Sequence, residues 1–121
     1  MYRLNKNSLL RKNRDFRIVY KYGKSFANRF VVMYLLKPQK NLSSNRRIGF
    51  VTGKKIGGAV ERNRAKRLMK ESYRLLQHEI LEGIDIVLIG RAGLPKAKFE
   101  IVQKSVREIL KKAKVLKKEF V

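Results

Sequence analysis

Residues 54–71 read KKIGGAVERNRAKRLMKE: two lysines, a glycine pair, then a run free of helix breakers in which Arg62, Arg64, Lys66, Arg67 and Lys70 are interleaved with Ala59, Val60, Leu68 and Met69. Stepping about 100° per residue from Ala65 places Ala65, Leu68, Met69, Ser72, Tyr73 and Leu76 on one arc. Asn63, Lys66, Arg67, Lys70 and Arg74 fall on the opposite one. A helix over residues 59–79 follows, with one face for a core and one for a polyanion. Arg62 lies on the flank, about 60° from Ala65 on the same geometry, and is expected to point along the edge of a sheet. The lysines precede the glycines, so the order GxxxxGK[ST] of a nucleotide loop is absent. What the stretch offers instead is a glycine connection that a ribose-phosphate chain can approach, a helix start and a set of cationic forks.

The rest of the chain is arranged around that helix. Downstream, Gly83 closes it, residues 85–90 (DIVLIG) form a continuous apolar strand, and Gly93-Leu94-Pro95 makes a turn. From residue 98 onward Phe99, Val102, Val106, Ile109, Leu110 and Ala113 recur at helical spacing, with Lys104, Arg107, Lys111 and Lys112 outside. Residues 114–121 read as a fraying tail. Upstream, residues 47–52 form a strand whose Gly49 marks the close approach of another element, and 38–46 (PQKNLSSNR) is turn chemistry. Residues 30–37 (FVVMYLLK) form a strand with Phe30, Val32, Tyr34 and Leu36 on one face and Val31, Met33 and Leu35 on the other. Both faces are apolar: one suits a helix layer, the other either a second layer or a groove lined by Val32 and Tyr34. The turn between them makes 30–37 and 47–52 an expected antiparallel pair. Residues 24–29 read as a polar connection, 14–22 as a short helix ended by Gly23, and 1–13 as a basic, loose N-terminal segment.

At 121 residues the chain is one domain, 1–121, and its 44% apolar content is enough for a packed interior. Lys and Arg outnumber Asp and Glu 31 to 9, a net charge of +22. Solubility does not require such an excess; a phosphate backbone is its commonest partner, each neutralised phosphate releasing a counterion. An anionic membrane surface is the lesser alternative. Cysteine is absent, which excludes a disulfide framework and thiolate metal sites, and the longest apolar run, residues 30–36, is far short of a membrane span. Without an export signal in the opening residues, a cytoplasmic location and no membrane partner are expected.

Catalytic sets are missing. The carboxylates are scattered with no DxD or ExE pair of the kind that holds two metal ions, and His78 has no second imidazole to join it. One His and no Cys support neither a triad nor an acid/base pair. A DNA-reading role lacks a two-helix unit ahead of the basic helix. Aromatic side chains supply the second ingredient of single-strand binding: if Phe16, Tyr20 and Tyr34 share a groove floored by the sheet and walled by the basic helix, unstacked bases can lie on them. Two aromatics at i and i+4 equally suit an ordinary buried stripe.

The stretch 54–71, with Lys54-Lys55, Gly57, Ala59-Val60, Arg62-Asn63-Arg64 and Lys66-Arg67 in register, closely resembles the Arg-Asn-Arg signature of the bacterial ribonuclease P protein family. The likeness extends to residues 10–16 (LRKNRDF), Gly23-Lys24-Ser25, Arg47-Ile48-Gly49 and residues 85–89 (DIVLI); Thr52-Gly53, Tyr20 and Lys70 depart from the usual pattern.

The resemblance implies an α+β fold: a two-layer α/β sandwich of order αβββαβα, with a four-stranded mixed sheet and a left-handed βαβ crossover, similar to a ribosomal-protein domain. That hand runs against the general rule for such crossovers. It further implies the noncatalytic protein subunit of an endoribonuclease that removes the 5′ leader from precursor tRNA, with a catalytic RNA performing Mg2+-dependent hydrolysis and no cofactor on the protein itself. Carried onto matching positions, Phe16, Tyr20, Val32, Tyr34, Lys55, Arg62 and Asn63 line a leader cleft, and Lys54, Arg64, Lys66, Arg67 and Lys70 face ribonuclease P RNA. No DNA partner is implied. A ribosome-associated RNA-binding protein or RNA chaperone of the same fold is the alternative.

Overall fold

The computed structural model describes residues 9–37 and 46–121. Along the chain the elements are α1 (Asn13–Tyr22), β1 (Lys24–Ala27), β2 (Val31–Leu36), β3 (Arg47–Val51), α2 (Ala59–Leu76), β4 (Asp85–Gly90) and α3 (Phe99–Lys112), the order αβββαβα. The sheet runs β1-β2-β4-β3, with β1/β2 and β2/β4 antiparallel and β3/β4 parallel, so it is mixed and β3-α2-β4 is a parallel crossover.

Two expectations are corrected. Residues 24–27 are not a connection but the edge strand β1, registered from Lys24↔Leu35 to Ala27↔Val32. Only Phe26 of β1 turns inward while Lys24, Ser25 and Ala27 are exposed, so the strand shows no apolar alternation. Its turn is fixed by Asn28, whose Oδ1 accepts the N–H groups of Phe30 and Val31 at 3.1 Å and whose Nδ2 donates to the Ser105 carbonyl of α3 at 2.9 Å. Strands 30–37 and 47–52, expected to pair with each other, are separated by β4. Asp85–Gly90 is apolar on both faces, and a strand of that kind is most stable in the middle of a sheet with a neighbour on each side. The connection expected at 38–46 lies, up to residue 45, outside the described residues.

The inner face of the sheet carries the main core. Val31, Met33, Leu35, Ile48, Ile86 and Leu88 pack under Ala65, Met69, Tyr73 and Leu76 of α2 and Val102, Val106, Ile109 and Leu110 of α3. The helical period read from the sequence is borne out: Ala65, Met69, Ser72, Tyr73 and Leu76 are the buried residues of α2. The outer face has a smaller cluster in which Leu10, Val19 and Val87 are buried, with Phe16, Tyr34, Leu36, Val51 and Ile89 packed against it. Among the described residues α1 is the one helix on that side, with Leu10 packed ahead of it. The helix is anchored by Asp15, whose Oδ2 lies 3.7 Å from Arg47, while Arg47 forks onto Asp85 with bonds of 2.9 and 2.7 Å.

Residues 9–13 and 114–121, read as loose ends, make defined contacts. Leu10 is buried and donates its N–H to the Ile48 carbonyl at 2.9 Å. At the other end Lys114 takes φ 60° and turns the chain back, Val115 and Leu116 are buried, and Leu116 bridges Ile80. The Lys117 N–H reaches the Glu79 carbonyl at 2.7 Å, and Phe120 meets His78 edge-on at 5.4 Å. Burying two such aliphatic side chains contributes roughly 1.5–3 kcal/mol each.

Candidate nucleic-acid interface

The open part of the outer face follows from register. Ala27, Val32, Ile89 and Val51 form one row across the four strands, and Ser25, Tyr34, Val87 and Gly49 the next. α1 crosses the second row. Gly49 permits this: a Cβ there would lie 2.5 Å from the Phe16 ring, so the glycine read from the sequence as a site of close approach is the seat of that aromatic. Phe16 and Tyr20 follow one another at 6.4 Å between centroids, and Tyr20 meets Tyr34 edge-on at 5.0 Å. Phe16 and Tyr34 are half-buried, Tyr20 is 38% exposed, and Val32, Ile89 and Val51 of the first row remain half-open. Burial, and then the neighbouring Tyr34, push the Tyr20 phenol above its ordinary value, so it is neutral and able to donate at physiological pH.

That half-open row ends at β3, and β3 leads directly into the basic stretch. Ile56, in a single 3-10 turn over Lys54–Ile56, is buried and pins the connection, leaving Lys54 and Lys55 exposed beside it. Gly57 has φ 136°, a conformation that side chains rarely adopt, and a Cβ there would meet the Glu61 side chain at 3.1 Å. Glu61 therefore folds back beneath the glycines at the helix start, where a carboxylate suits the helix dipole. Sequence reasoning gave that residue no part in the site. Arg62 is half-buried, as its flank position predicts, unlike exposed Asn63, Arg64, Lys66, Arg67 and Lys70.

On the outward side of α2 the cations divide between two shallow grooves. One, of about 500 Å³, is lined by Val60, Asn63, Lys66, Arg67 and Lys70; the other, of about 290 Å³, by Arg64, Arg67, Leu68, Glu71 and Phe99 of α3. Arg67 belongs to both. Asn63, carried onto the leader cleft by the resemblance, thus sits with the basic face of α2, while Phe16, Tyr20 and Tyr34 are brought together on the outer face of the sheet.

Five of the nine carboxylates pair with arginines other than Arg62, Arg64 and Arg67. Asp15 and Asp85 hold Arg47, Glu82 holds Arg46, Glu79 holds Arg107 and Glu71 holds Arg74. The Glu71 carboxyl is held below its usual range by the Arg74 hydrogen bond. Among the described residues none of Lys54, Lys55, Arg62, Arg64, Lys66, Arg67 or Lys70 is in an ion pair, which leaves all seven for an external polyanion. Sequence reasoning also missed Arg29 and Arg91, exposed at the same end of the sheet as Val32 and Ile89. Arg29 lies 5.3 Å from the Phe30 ring centroid, and Arg91 donates to the Asn28 carbonyl at 2.8 Å. Their signal was only a basic residue at a strand end. Among the described residues no three His, Asp or Glu side chains form a group that could hold a metal ion, and no helix is long and apolar enough to cross a membrane.

Known proteins resemble this chain along most of its length. A family model described as Ribonuclease P matches residues 4–114. The ribonuclease P protein component of Clostridioides difficile (strain 630) is 44% identical over 112 residues, covering 92% of this chain and 96% of that one. The corresponding component of Alkaliphilus metalliredigens (strain QYMF) is 40% identical over 113 residues, covering 93% and 99%. Among solved structures, the Staphylococcus aureus RNase P protein superposes with a TM-score of 0.80 at 34% identity, covering 91% of this chain and 98% of that one. The Thermotoga maritima RNase P protein gives 0.75 at 34% identity, covering 85% and 94%. The chain belongs to the ribonuclease P protein family, the protein component of an endoribonuclease that processes tRNA.

Proposed function

We propose that the half-open outer face binds the 5′ leader of precursor tRNA as a single strand, while the basic face of α2 holds the catalytic RNA. The observation that carries this reading is the cluster of Phe16, Tyr20 and Tyr34 beside the half-open row of Val32, Ile89 and Val51, a row that ends on β3 where the chain continues into exposed Lys54 and Lys55. Bases stack on aromatic and aliphatic surface only when unpaired, so such a floor selects a single strand over a duplex. The Tyr20 phenol donates to a base edge or ribose, Arg62 reaches along the sheet edge to a phosphate, and Lys55 adds charge at the open side. Lys54, Arg64, Lys66, Arg67 and Lys70, with Asn63 among them, face away from the cleft and meet the phosphates of the partner RNA.

In this division of labour the protein contributes no acid, base or metal ligand. Five of its nine carboxylates pair with arginines, and among the described residues no three His, Asp or Glu side chains gather at one place, so in this reading Mg2+ and the attack on the scissile phosphate are assigned to the RNA. The protein raises the affinity for substrate by holding the leader. Such an assembly works on cytoplasmic RNA, with neither DNA nor a membrane as partner. Precursor tRNA cleavage at low magnesium, measured with protein alone, RNA alone and both together, tests the proposal. Strong cleavage is expected only for the pair; cleavage by the protein alone, or no gain on combining them, overturns it.

A further inference from the structure

A second basic depression lies at the far end of α1. It has a volume of about 860 Å³ and sits between the end of α1, the outer strand pair and the end of α3, with Tyr22, Lys24, Phe26, Lys37, Lys112 and Lys114 around an aliphatic floor. Tyr22 is 66% exposed, far more than core packing would leave it, and Lys21 Nζ stands 5.3 Å from its ring centroid. Among the described residues no carboxylate lines the depression and none of its four lysines is in an ion pair. Lys114 is held over it by its left-handed backbone, φ 60°.

We infer that this depression is a second single-strand site, taking the part of the precursor leader that lies beyond the cleft; the inference rests on the leader-binding reading above. Its chemistry is that of a nucleotide: an exposed ring for a base, apolar surface beneath, and point charges at the rim for phosphates. Concavity argues against a membrane surface, which is met by a protruding apolar face with a basic border. Position argues for the leader. Tyr22 follows Tyr20 by two residues on α1, about 3 Å along the helix axis and about 200° around it, so a strand reaches it by passing round the end of the helix, and β2 leads the same way, from Tyr34 in the cleft to Lys37 at the rim of the depression. The carboxylate on that path, Asp85 opposite Leu36, is already held by Arg47. It is therefore not free to repel a strand that runs from the aromatics to the lysines.

The test uses holoenzyme reconstituted with its RNA and precursor tRNAs bearing leaders of about five and about ten nucleotides, on the scale of single-strand sites. Wild type is expected to bind the longer leader roughly tenfold more tightly, the scale of one stacked base with its charges. In the K24Q/K112Q variant that gain disappears, the short-leader affinity stays as it was, and the log-salt slope for the long leader flattens by about 1.4, near 0.7 per lysine. Tyr22→Ala, which removes no charge, loses the gain while keeping the slope. Equal losses for both leaders, no loss for either, or weakened binding of the RNA subunit without substrate would each overturn the assignment. Tyr20→Ala separates the two readings. If it leaves the short leader unaffected while K24Q/K112Q still abolishes the gain, the cleft reading fails and the second site stands.

Discussion

One sheet serves two faces in this molecule, and they differ in how completely they are covered. On β2 the inward residues Val31, Met33 and Leu35 are 5% exposed or less, while their neighbours Val32, Tyr34 and Leu36, no less apolar, are half-buried. The inner face lies under two helices and the outer face under one short helix. Completing the outer layer would remove more apolar area from water, at roughly 25 cal/mol per Å². The chain leaves that stabilisation unused beside the Phe16, Tyr20 and Tyr34 rings. The open face is where binding is expected, because stability does not account for it.

The contrast breaks most readily at two tyrosines. Tyr73 of α2 is 1% exposed and meets Phe50 edge-on at 6.0 Å, whereas Tyr20 of α1 is 38% exposed beside Tyr34. Tyr73→Ala is expected to lower unfolding free energy by about 3–5 kcal/mol, the range for large aromatics in a core, read from urea denaturation. Tyr20→Ala is expected to lower it by no more than about 1 kcal/mol, as for a partly exposed site, while weakening leader binding. Comparable stability losses in the two variants would abolish the distinction between the faces.

Gly49 allows a finer test, because it is buried on β3 directly beneath the Phe16 ring. A methyl group at this position would occupy space now held by the Phe16 ring, at 2.5 Å, so the ring must move. Overpacking of this kind costs typically about 1–3 kcal/mol. The informative result for Gly49→Ala is a loss of leader affinity in protein that remains folded and still binds the RNA subunit. Full leader affinity would mean that the position of Phe16 does not matter to the cleft.

Much of this was legible because periodicity reports burial. The two-sided character of α2, the alternation of β2 and the meaning of Gly49 were all readable in the order of residue types. The strand neighbours were not: β4 inserts between β2 and β3 to bury an apolar run, a choice made in three dimensions by segments far apart in sequence. Edge strand β1 escaped because an edge needs only Phe26 to face inward. Lysines around Val115 and Leu116 disguised two buried residues as tail. As for the site, residue types put Phe16, Tyr20 and Tyr34 in one groove, and helical period alone put Asn63 with Lys66, Arg67 and Lys70, the group that lines a groove on α2, whereas the resemblance assigned Asn63 to the cleft.

Alkaline titration offers the gentlest comparison of the two faces. Burial is the leading cause of a raised phenol pKa at both Tyr73 and Tyr20, opposed at Tyr73 by the nearby Arg46 and reinforced at Tyr20 by Tyr34. A tyrosine whose folded pKa is raised holds its proton in the folded state after the unfolded chain has begun to release it. Its stabilisation is therefore complete below the unfolded value, about 10, and is lost as pH rises through the folded one. Unfolding free energy measured by denaturant from pH 9 to pH 12, a window around that value, should fall, and Tyr73→Phe should remove more of the decline than Tyr20→Phe because its ring is the more deeply buried. An equal effect of the two substitutions would mean that the outer face excludes water as fully as the inner, and a single strand would then have no open surface to occupy between α1 and the basic stretch.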